Sequence, residues 1–251
     1  MSDYINLTAE NIDEEHICCA ISDPKHQNGV SAKKSWLKDR LNEGHVFRKL
    51  NENGKVFIEY APIENAWVPV TGSNYNYIYC LWVSGKFKGN GHAKDLLQYC
   101  IDDSKEKGKS GICILTAKKK KPYISEKKIL KAFGFEVADS ADDYELMALK
   151  FDDEPAPAFS DSVKKKQIDS SGLTIYHTNQ CPFIPNCVKQ VKAACEKKGI
   201  ELTVMEIDTC KKAKEVPSVF NNWAAFYNGK FLTHHLLNEN YLKKELAKVN
   251  S

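Results

Sequence analysis

The sequence predicts an α/β (α+β) protein in which a mixed β-sheet flanked by helices is followed by a small second α/β domain. Strand-like and helix-like patterns alternate along residues 1–151, whereas residues 152–171 are rich in Pro, Ser, Asp and Lys and show little periodicity. That composition is typical of a linker. We therefore expect a first domain over 1–151, a linker over 152–171 and a second domain over 172–251, both domains of ordinary size.

Composition and charge argue against several classes of protein. The 251 residues carry 36 Lys and Arg against 33 Asp and Glu, and a formal net charge of +3 gives no strong field for nucleic acid. No apolar stretch reaches the roughly 20 residues that span a bilayer, and the N-terminal residues lack a secretory pattern. Nine scattered cysteines do not resemble a secreted disulfide framework. We expect a cytoplasmic protein whose partners are small molecules, not nucleic acid or membranes.

The first domain is expected to begin with two helices and a hairpin. Apolar residues at helical spacing predict helices over Ile12–Ile21 and Ala32–Leu41. The Asn53-Gly54 pair is a strong hairpin signal between strands at His45–Leu50 and Val56–Ala61. After the hairpin we expect three strands, at Tyr77–Val83, Ile112–Thr116 and Tyr144–Phe151. An amphipathic helix is expected between the first two strands, and a short helix capped by Ser125 before the third.

The stretch KGNGHA, residues 88–93, connects the first of these three strands to the amphipathic helix. A helix start carries unpaired backbone N–H groups and partial positive charge, so it attracts anions. Gly89 and Gly91 would let the backbone approach a phosphate closely, and Lys88 and Lys94 would add charge. The same glycines would also serve a tight turn with no ligand. The ring of His92 could act on a substrate from this position, but we expect the side chain to point to solvent.

The order of elements and the turn resemble the GNAT acetyltransferases. Lys88, Gly91 and Ala93 occupy the places of that family's acetyl-coenzyme A motif, with Lys88 where Arg or Gln is usual, and KAFGFEV resembles the family's Gly-Phe ending. The resemblance covers about residues 1–150 and implies a splayed sheet that takes acetyl-CoA as cosubstrate. The cofactor-binding residues that it implies are Leu81, Trp82, Val83, Lys88, Gly89, Asn90, Gly91, His92, Ala93 and Lys94.

The resemblance also implies direct attack of an amine on acetyl-CoA in a ternary complex. An amine is mostly protonated at neutral pH, so a base is needed, and Glu59 and Glu64 are the candidate carboxylates. Each also fits an ordinary solvated position. The family often places a general acid Tyr four residues before the Gly-Phe pair, where this chain has Leu130. Tyr123 from a shifted position, water, or no acid at all are the alternatives.

The second domain has the order βαβ followed by ββα, which matches a thioredoxin-like fold. Cys181 follows a strand and precedes a helix, where the helix dipole lowers the pKa of a thiol. It resembles the first cysteine of a glutaredoxin-type site, with Ile184 in place of the second. Cys187 lies six positions further on and is the candidate partner of Cys181 in a disulfide or a soft-metal site. Cysteines that only pack in the core are the other interpretation.

The two domains together resemble the YoaP-type GNAT proteins of bacteria. We expect an acetyl-CoA-dependent N-acetyltransferase whose acceptor is a small amine or a thiol-bearing metabolite. One alternative is a thiol redox or soft-metal-binding protein that uses Cys181 and Cys187, with the first domain sensing acyl-CoA. Another is a noncatalytic module that binds CoA, since the usual acid is absent and the base is not evident.

Overall fold

Thirteen strands and seven α-helices make up the computed structural model, which describes residues 3–121, 124–220 and 222–249. The strands are β1 (Tyr4–Asn6), β2 (Val46–Leu50), β3 (Val56–Pro62), β4 (Val70–Thr71), β5 (Tyr75–Val83), β6 (Gly111–Ala117), β7 (Glu136–Ala141), β8 (Tyr144–Lys150), β9 (Ala158–Phe159), β10 (Leu173–His177), β11 (Leu202–Glu206), β12 (Trp223–Tyr227) and β13 (Lys230–Thr233). The helices are α1 (Gln27–Leu41), α2 (His92–Glu106), α3 (Lys127–Ala132), α4 (Asp161–Lys165), α5 (Ile184–Lys198), α6 (Cys210–Lys214) and α7 (Glu239–Val249). Within these ranges, no helix is both long enough and apolar enough to cross a bilayer.

The chain divides into two units. The first unit takes the residues up to Ile21, together with Leu37–Ala66 and Val70–Phe159, and the second takes Ser22–Trp36, Trp67–Pro69 and the residues from Ser160 onward. Helix α1 therefore contributes residues to both units. The proposed linker, residues 152–171, contains β9 and α4. The limits at residues 151 and 172 stay a prediction.

The first unit contains a seven-stranded sheet that separates into two arms. Its strand order is β1-β2-β3-β5-β6-β8-β7, and β5 and β6 are its parallel neighbours. These two strands pair only over Tyr75–Ile78 and Gly111–Ile114. Beyond that point β5 stays paired with β3 up to Val83, while β6 stays paired with β8 up to Ala117. The predicted splayed GNAT-type sheet is therefore present, and the gap opens after Ile78.

A β-bulge marks the place where the gap begins. Glu59 of β3 lies opposite Cys80 of β5, but the next residue, Tyr60, lies opposite Ile78. Tyr79 is thus the extra residue on β5. A bulge of this kind bends its strand and increases the local twist, which turns the following residues of β5 away from β6.

Helix α2 packs its apolar stripe against the sheet, as the sequence predicts. The sequence spacing of i, i+3 and i+4 places one row of side chains on a single face, where they are almost fully buried. The row packs against apolar side chains from β3, β5 and β6. The buried residues of this stripe are Leu96, Leu97, Cys100 and Ile101.

The helix predicted over Ile12–Ile21 is wrong, because this segment forms turns. The Thr8 amide donates to Asn11 Oδ1 and the Asn11 amide donates to Thr8 Oγ1, and such side-chain bonds compete with helix formation. Cys18 and Ala20 have φ angles of 60° and 52°, which no right-handed helix contains. Both side chains are nevertheless buried. The apolar residues of this segment are buried by irregular packing against the core. Their spacing in the sequence resembles that of a helix although no helix forms.

The short helix of the first unit begins one residue later than its predicted cap suggests. Glu126, not Ser125, occupies the N-cap position of α3, and its side chain makes no capping bond. Gly134 follows the helix with a φ of 86°, as expected of a terminating glycine. Leu130, from the middle of the helix, is fully buried in the core beneath α2.

The second unit contains a four-stranded sheet with the order β11-β10-β12-β13. Strands β10 and β11 are parallel and are connected by α5, whereas β12 is antiparallel to both β10 and β13. The Tyr241 amide donates to Asn238 Oδ1 over 2.9 Å, so the predicted cap of α7 is present. The predicted βαβ and ββα parts are both present, with the short helix α6 between them, which the sequence interpretation did not include. The thioredoxin-like assignment stays a prediction.

Candidate active site

The glycine turn before α2 has the backbone conformation that only glycine adopts readily. Gly85, Gly89 and Gly91 have φ angles of 64°, 84° and 86°. A Cβ atom built on any of them would meet no heavy atom within 4 Å in the described parts of the chain. A side chain at these positions would be disfavoured by the backbone conformation and not by contact with other residues. The space in front of this turn is open to a ligand.

Helix α2 begins at His92, and Gly91 stands at its N-cap without a side-chain capping bond. The first amides of a helix have no carbonyl partner one turn earlier, so they are available to an anion. The side chains of Lys88, Asn90 and Lys94 are exposed around the turn. The structure thus brings the sequence-predicted phosphate residues together at one helix end. Whether they bind a cofactor stays a prediction.

The expectation that His92 points to solvent is wrong, because only 7% of the residue is exposed. Its Nδ1 atom lies 2.7 Å from the hydroxyl of Tyr4, a residue on the edge strand β1. Its ring also meets the ring of Phe87 edge-on, with 5.9 Å between centroids. A binding role for His92 in the turn therefore rests on its backbone amide and on the ring position that Tyr4 and Phe87 fix.

The arm of β5 beyond the bulge contains the other predicted cofactor residues. Leu81, Trp82 and Val83 are half-buried and pair with β3. Because β6 has already turned away, the opposite edge of this arm faces the gap. Val83 leads through Ser84 directly into the glycine turn. The splayed strand and the helix end are thus adjacent in the chain and in the fold.

Glu59 is buried beside the bulge. Its Oε1 atom lies 3.1 Å from Nε2 of His45, and both side chains are only 2% exposed. The His45 ring in turn stacks on Tyr79, with 5.1 Å between centroids and 23° between planes. The sequence interpretation missed His45 and Tyr79. The hairpin register contains a signal for His45, because pairing of Phe47 with Glu59 places His45 two residues away on the same face.

Glu64 lies elsewhere. Its side chain is exposed, and Oε1 accepts a 2.6 Å hydrogen bond from the Asn74 amide. Asn74 has a φ of 58°, so Glu64 stabilises the turn that starts β5. Tyr79 lies five positions beyond Asn74 along β5, which corresponds to about 16 Å. The structure does not bring Glu64 together with Glu59.

The position where the family has its general acid carries no ionisable side chain in this chain. Leu130, at the place of the family's Tyr, is fully buried and makes no contribution to proton transfer. Tyr123 lies outside the described residues. Nearby, Lys120 pairs with Glu126, and this ion pair, with a further contribution from Lys88, lowers the pKa of the Glu126 carboxyl. Lys88 of the glycine turn is therefore close enough to α3 to act on the Glu126 carboxyl.

The two cysteines of the second unit differ in character. Cys187 is 5% exposed within α5, and its Sγ atom donates to the Leu237 carbonyl over 3.0 Å. Burial raises the pKa of the Cys187 thiol to about 12, so it is a thiol at neutral pH. Cys181 is half-buried and precedes the helix. Neither cysteine is part of a disulfide, and no three His, Cys, Asp or Glu side chains in the described ranges are grouped as a metal site.

Two protein families match parts of this chain. Residues 10–124 match the acetyltransferase (GNAT) family, and residues 202–244 match the YoaP-like family. The chain belongs to the GNAT acetyltransferases and contains a YoaP-like C-terminal region. It is 42% identical over 245 residues to the uncharacterized N-acetyltransferase YoaP of Bacillus subtilis (strain 168), covering 97% of this chain and 98% of the relative. The predicted class, an acyltransferase with acetyl-CoA as cosubstrate, is thereby confirmed.

Solved structures with a similar fold match about three fifths of the chain. The PaiA N-acetyltransferase of Thermoplasma acidophilum, solved with coenzyme A, is 16% identical and has a TM-score of 0.42, covering 60% of this chain and 99% of that one. The ribosomal-protein-S18-alanine N-acetyltransferase of Escherichia coli is 13% identical with a TM-score of 0.40, covering 61% of this chain and 96% of that one.

Proposed function

We propose that the chain transfers an acetyl group from acetyl-CoA to an amine of a small acceptor by direct attack in a ternary complex. The observation that carries this proposal is the separation of β5 from β6 immediately before the glycine turn of α2. A gap in a sheet gives an extended ligand two strand edges to lie between. The turn at its end offers open space and unpaired amides to the ligand's phosphates.

Cofactor binding is divided between the turn and the strand. The diphosphate binds the amides of Gly89 to Ala93, and Lys88 and Lys94 contribute charge. Replacement of the family's usual Arg or Gln by Lys88 exchanges a planar group for a point charge, which leaves the backbone contacts intact. The pantetheine arm lies along the edge of Leu81 to Val83, whose amides align it. Acetyl-CoA supplies the activated acetyl group, and the protein supplies its position.

The chemical step needs one proton removed and one negative charge stabilised. The amine nitrogen attacks the thioester carbonyl, the C–S bond breaks, and the backbone amides beside the bulge stabilise the developing oxyanion. Glu59, paired with His45, accepts the amine proton through bound water. The leaving group is a thiolate of a thiol with a pKa of about 8.5, which departs without an obligatory acid. The core position of Leu130 is compatible with such a step.

The acceptor and the role of the C-terminal region complete the proposal. The acceptor is a small amine or a thiol-bearing metabolite. The YoaP-like region, with the thioredoxin-like order of elements, recognises the acceptor or a partner protein. We keep the proposed limits of 1–151 and 172–251 for the two functional parts.

Two other candidates are each favoured by one observation. The buried Leu130 favours a noncatalytic module that binds CoA, because the family's usual acid is lost. The half-buried Cys181 ahead of α5 favours a thiol reaction at that residue. A disulfide or a soft-metal site would need both Cys181 and Cys187 as reactive thiols. The raised pKa of Cys187 argues against both of these possibilities.

A direct test mixes the full chain with acetyl-CoA and a panel of small amines, including polyamines, amino acid esters and aminothiols. Released CoA and acetylated products are separated chromatographically, so that a thiol-bearing acceptor does not interfere with detection. Turnover of at least one amine is expected. Silence across the panel, in a protein that still binds CoA by calorimetry, would favour the noncatalytic module.

A further inference from the structure

The turn that precedes α2 is closed by a contact between its two ends. Phe87 and His92 lie five positions apart, and their rings touch edge-on at the base of the turn. Both residues are 7% exposed, whereas the four residues between them are exposed. Phe87 is held in turn by the hairpin, because a Cβ on Gly54 would lie 2.2 Å from its ring. The turn therefore has a buried base and an open rim.

His92 is held from the other side by Tyr4. The Tyr4 hydroxyl lies 2.7 Å from His92 Nδ1 and 3.3 Å from Asp95 Oδ2, and both partners belong to the first turn of α2. The hydroxyl has one proton to donate, and the Asp95 carboxylate can only accept, so Tyr4 donates to Asp95 and its oxygen accepts from His92 Nδ1–H. Neutral His92 then carries its ring proton on Nδ1. The bond joins residues 88 positions apart.

Strand β1, which contains Tyr4, is itself attached to the same helix. The Arg48 guanidinium lies 3.9 Å from the centroid of the Tyr99 ring and donates to Asn6 Oδ1 over 2.9 Å. Asn6 Nδ2 donates to the Tyr99 hydroxyl, also over 2.9 Å. None of these hydrogen bonds involves the Tyr4 hydroxyl. Loss of that hydroxyl alone therefore leaves them in place.

We propose that Tyr4 is a positioning residue for cofactor binding: through its bond to His92 Nδ1 it fixes the His92 ring against Phe87 and so holds the phosphate-binding turn in its open conformation before acetyl-CoA arrives. This inference rests on the proposed phosphate site at residues 88–94. A turn that is already ordered loses less conformational entropy on binding than one that orders around its ligand. The contribution is to affinity, not to the chemical step.

The test compares two tyrosine-to-phenylalanine variants of the full chain. Tyr4→Phe removes the hydroxyl contacts to His92 and Asp95. Tyr60→Phe is the matched control, because the Tyr60 hydroxyl donates over the same 2.7 Å to Asp103, near the other end of α2. Calorimetry with CoA should show binding about 3- to 10-fold weaker in Tyr4→Phe, the effect of one lost hydrogen bond, and within 2-fold of the unsubstituted protein in Tyr60→Phe. The kcat at saturating acetyl-CoA should not change.

A double-mutant cycle shows whether Tyr4 acts through His92. His92→Ala should weaken CoA binding by at least as much, and Tyr4→Phe added to it should have no further effect. Nitrogen NMR of the unsubstituted protein should find neutral His92 protonated on Nδ1, a readout that needs no variant to fold. CoA affinity unchanged in Tyr4→Phe, or a proton on Nε2 alone, would overturn the inference. Absence of CoA binding by the unsubstituted protein would instead overturn the proposed site itself.

Discussion

The imidazole of His45 and the carboxylate of Glu59 form a buried pair, with 3.1 Å between Nε2 and Oε1, at the point where the sheet of the first unit opens. A buried carboxylate is rarely retained without a partner, since transfer of a charge from water is costly. The pair is next to the bulge residue Tyr79, onto which the His45 ring stacks. This placement makes Glu59, and not Glu64, the carboxylate we assign to proton removal.

Substitution of Glu59 should separate the chemical step from cofactor binding. We expect Glu59→Gln to lower kcat about 100-fold or more, the range for loss of a general base, and to leave the KM for acetyl-CoA within about 3-fold. Glu64→Gln is the control, because that side chain stabilises the turn at Asn74. Steady-state kinetics with an amine found in the panel provide the measurement. Equal rates for both variants would remove Glu59 from the mechanism.

The left-handed conformation of Gly91 should make it intolerant of a side chain. We expect Gly91→Val to weaken CoA binding at least 10-fold, because a β-branched residue disfavours a φ of 86° and distorts the turn. Gly108→Val is the matched control, since Gly108 has a φ of 62° with open space at the other end of α2. Both variants should lose stability in denaturant unfolding. Only Gly91→Val should lose CoA affinity in calorimetry.

The stripe of α2 should account for much of the stability of the first unit. Leu97 is fully buried against the sheet, so Leu97→Ala should lower the free energy of unfolding by about 2–5 kcal/mol. Gln98→Ala, on the exposed face of the same helix, should change it by less than about 0.5 kcal/mol. Urea unfolding followed by circular dichroism measures both. Similar values for the two variants would show that the helix packs differently.

The cysteines of the second unit should react at different rates. Because burial raises the pKa of Cys187 to about 12, almost none of it is thiolate at pH 8, whereas Cys181 is partly exposed. Iodoacetamide at pH 8 should therefore modify Cys181 and spare Cys187 in the folded chain. Peptide mass spectrometry identifies the modified residue. Rapid modification of Cys187 without unfolding would contradict the buried position.

The same thiol predicts a pH dependence of stability. In the unfolded chain Cys187 loses its proton near its ordinary pKa of about 8.5, whereas the folded state keeps it until about 12. The folded state therefore binds more protons in this window, and the contribution of Cys187 to stability is complete below about pH 8.5 and falls as the pH rises. The difference in unfolding free energy between the unsubstituted protein and Cys187→Ala should shrink from pH 8 to pH 10. A constant difference would contradict the raised pKa.

Local signals in the sequence were sufficient for most of the fold. The Asn53-Gly54 turn, the stripe of α2 and the Asn238 cap each specify their element with residues close in sequence, and the structure contains all three. The segment 12–21 was misinterpreted because its buried residues are selected by tertiary packing, which local periodicity cannot report. The GNAT motif predicted the position of the glycine turn correctly, because the strand, the turn and the helix that it describes are consecutive in the sequence.

The side chains around the site were harder to predict. Tyr4 and His92 are 88 positions apart, and His45 reaches Glu59 only because a hairpin aligns them. The contact of Tyr4 with His92 has no local sequence signature, and that of His45 with Glu59 is signalled only through the register of the hairpin. The burial of His92 likewise depends on Phe87 and Tyr4 being brought to it from outside its own helix. Long-range pairs of this kind depend on the assembled fold.

A crystal structure of the chain with bound CoA tests the central claim most directly. We predict the diphosphate within hydrogen-bonding distance of the amides of Gly89 to Ala93, and the sulfur beside the β5 arm between Tyr79 and Val83. Diphosphate density at another surface, or an empty gap between β5 and β6 in crystals saturated with CoA, would contradict the account.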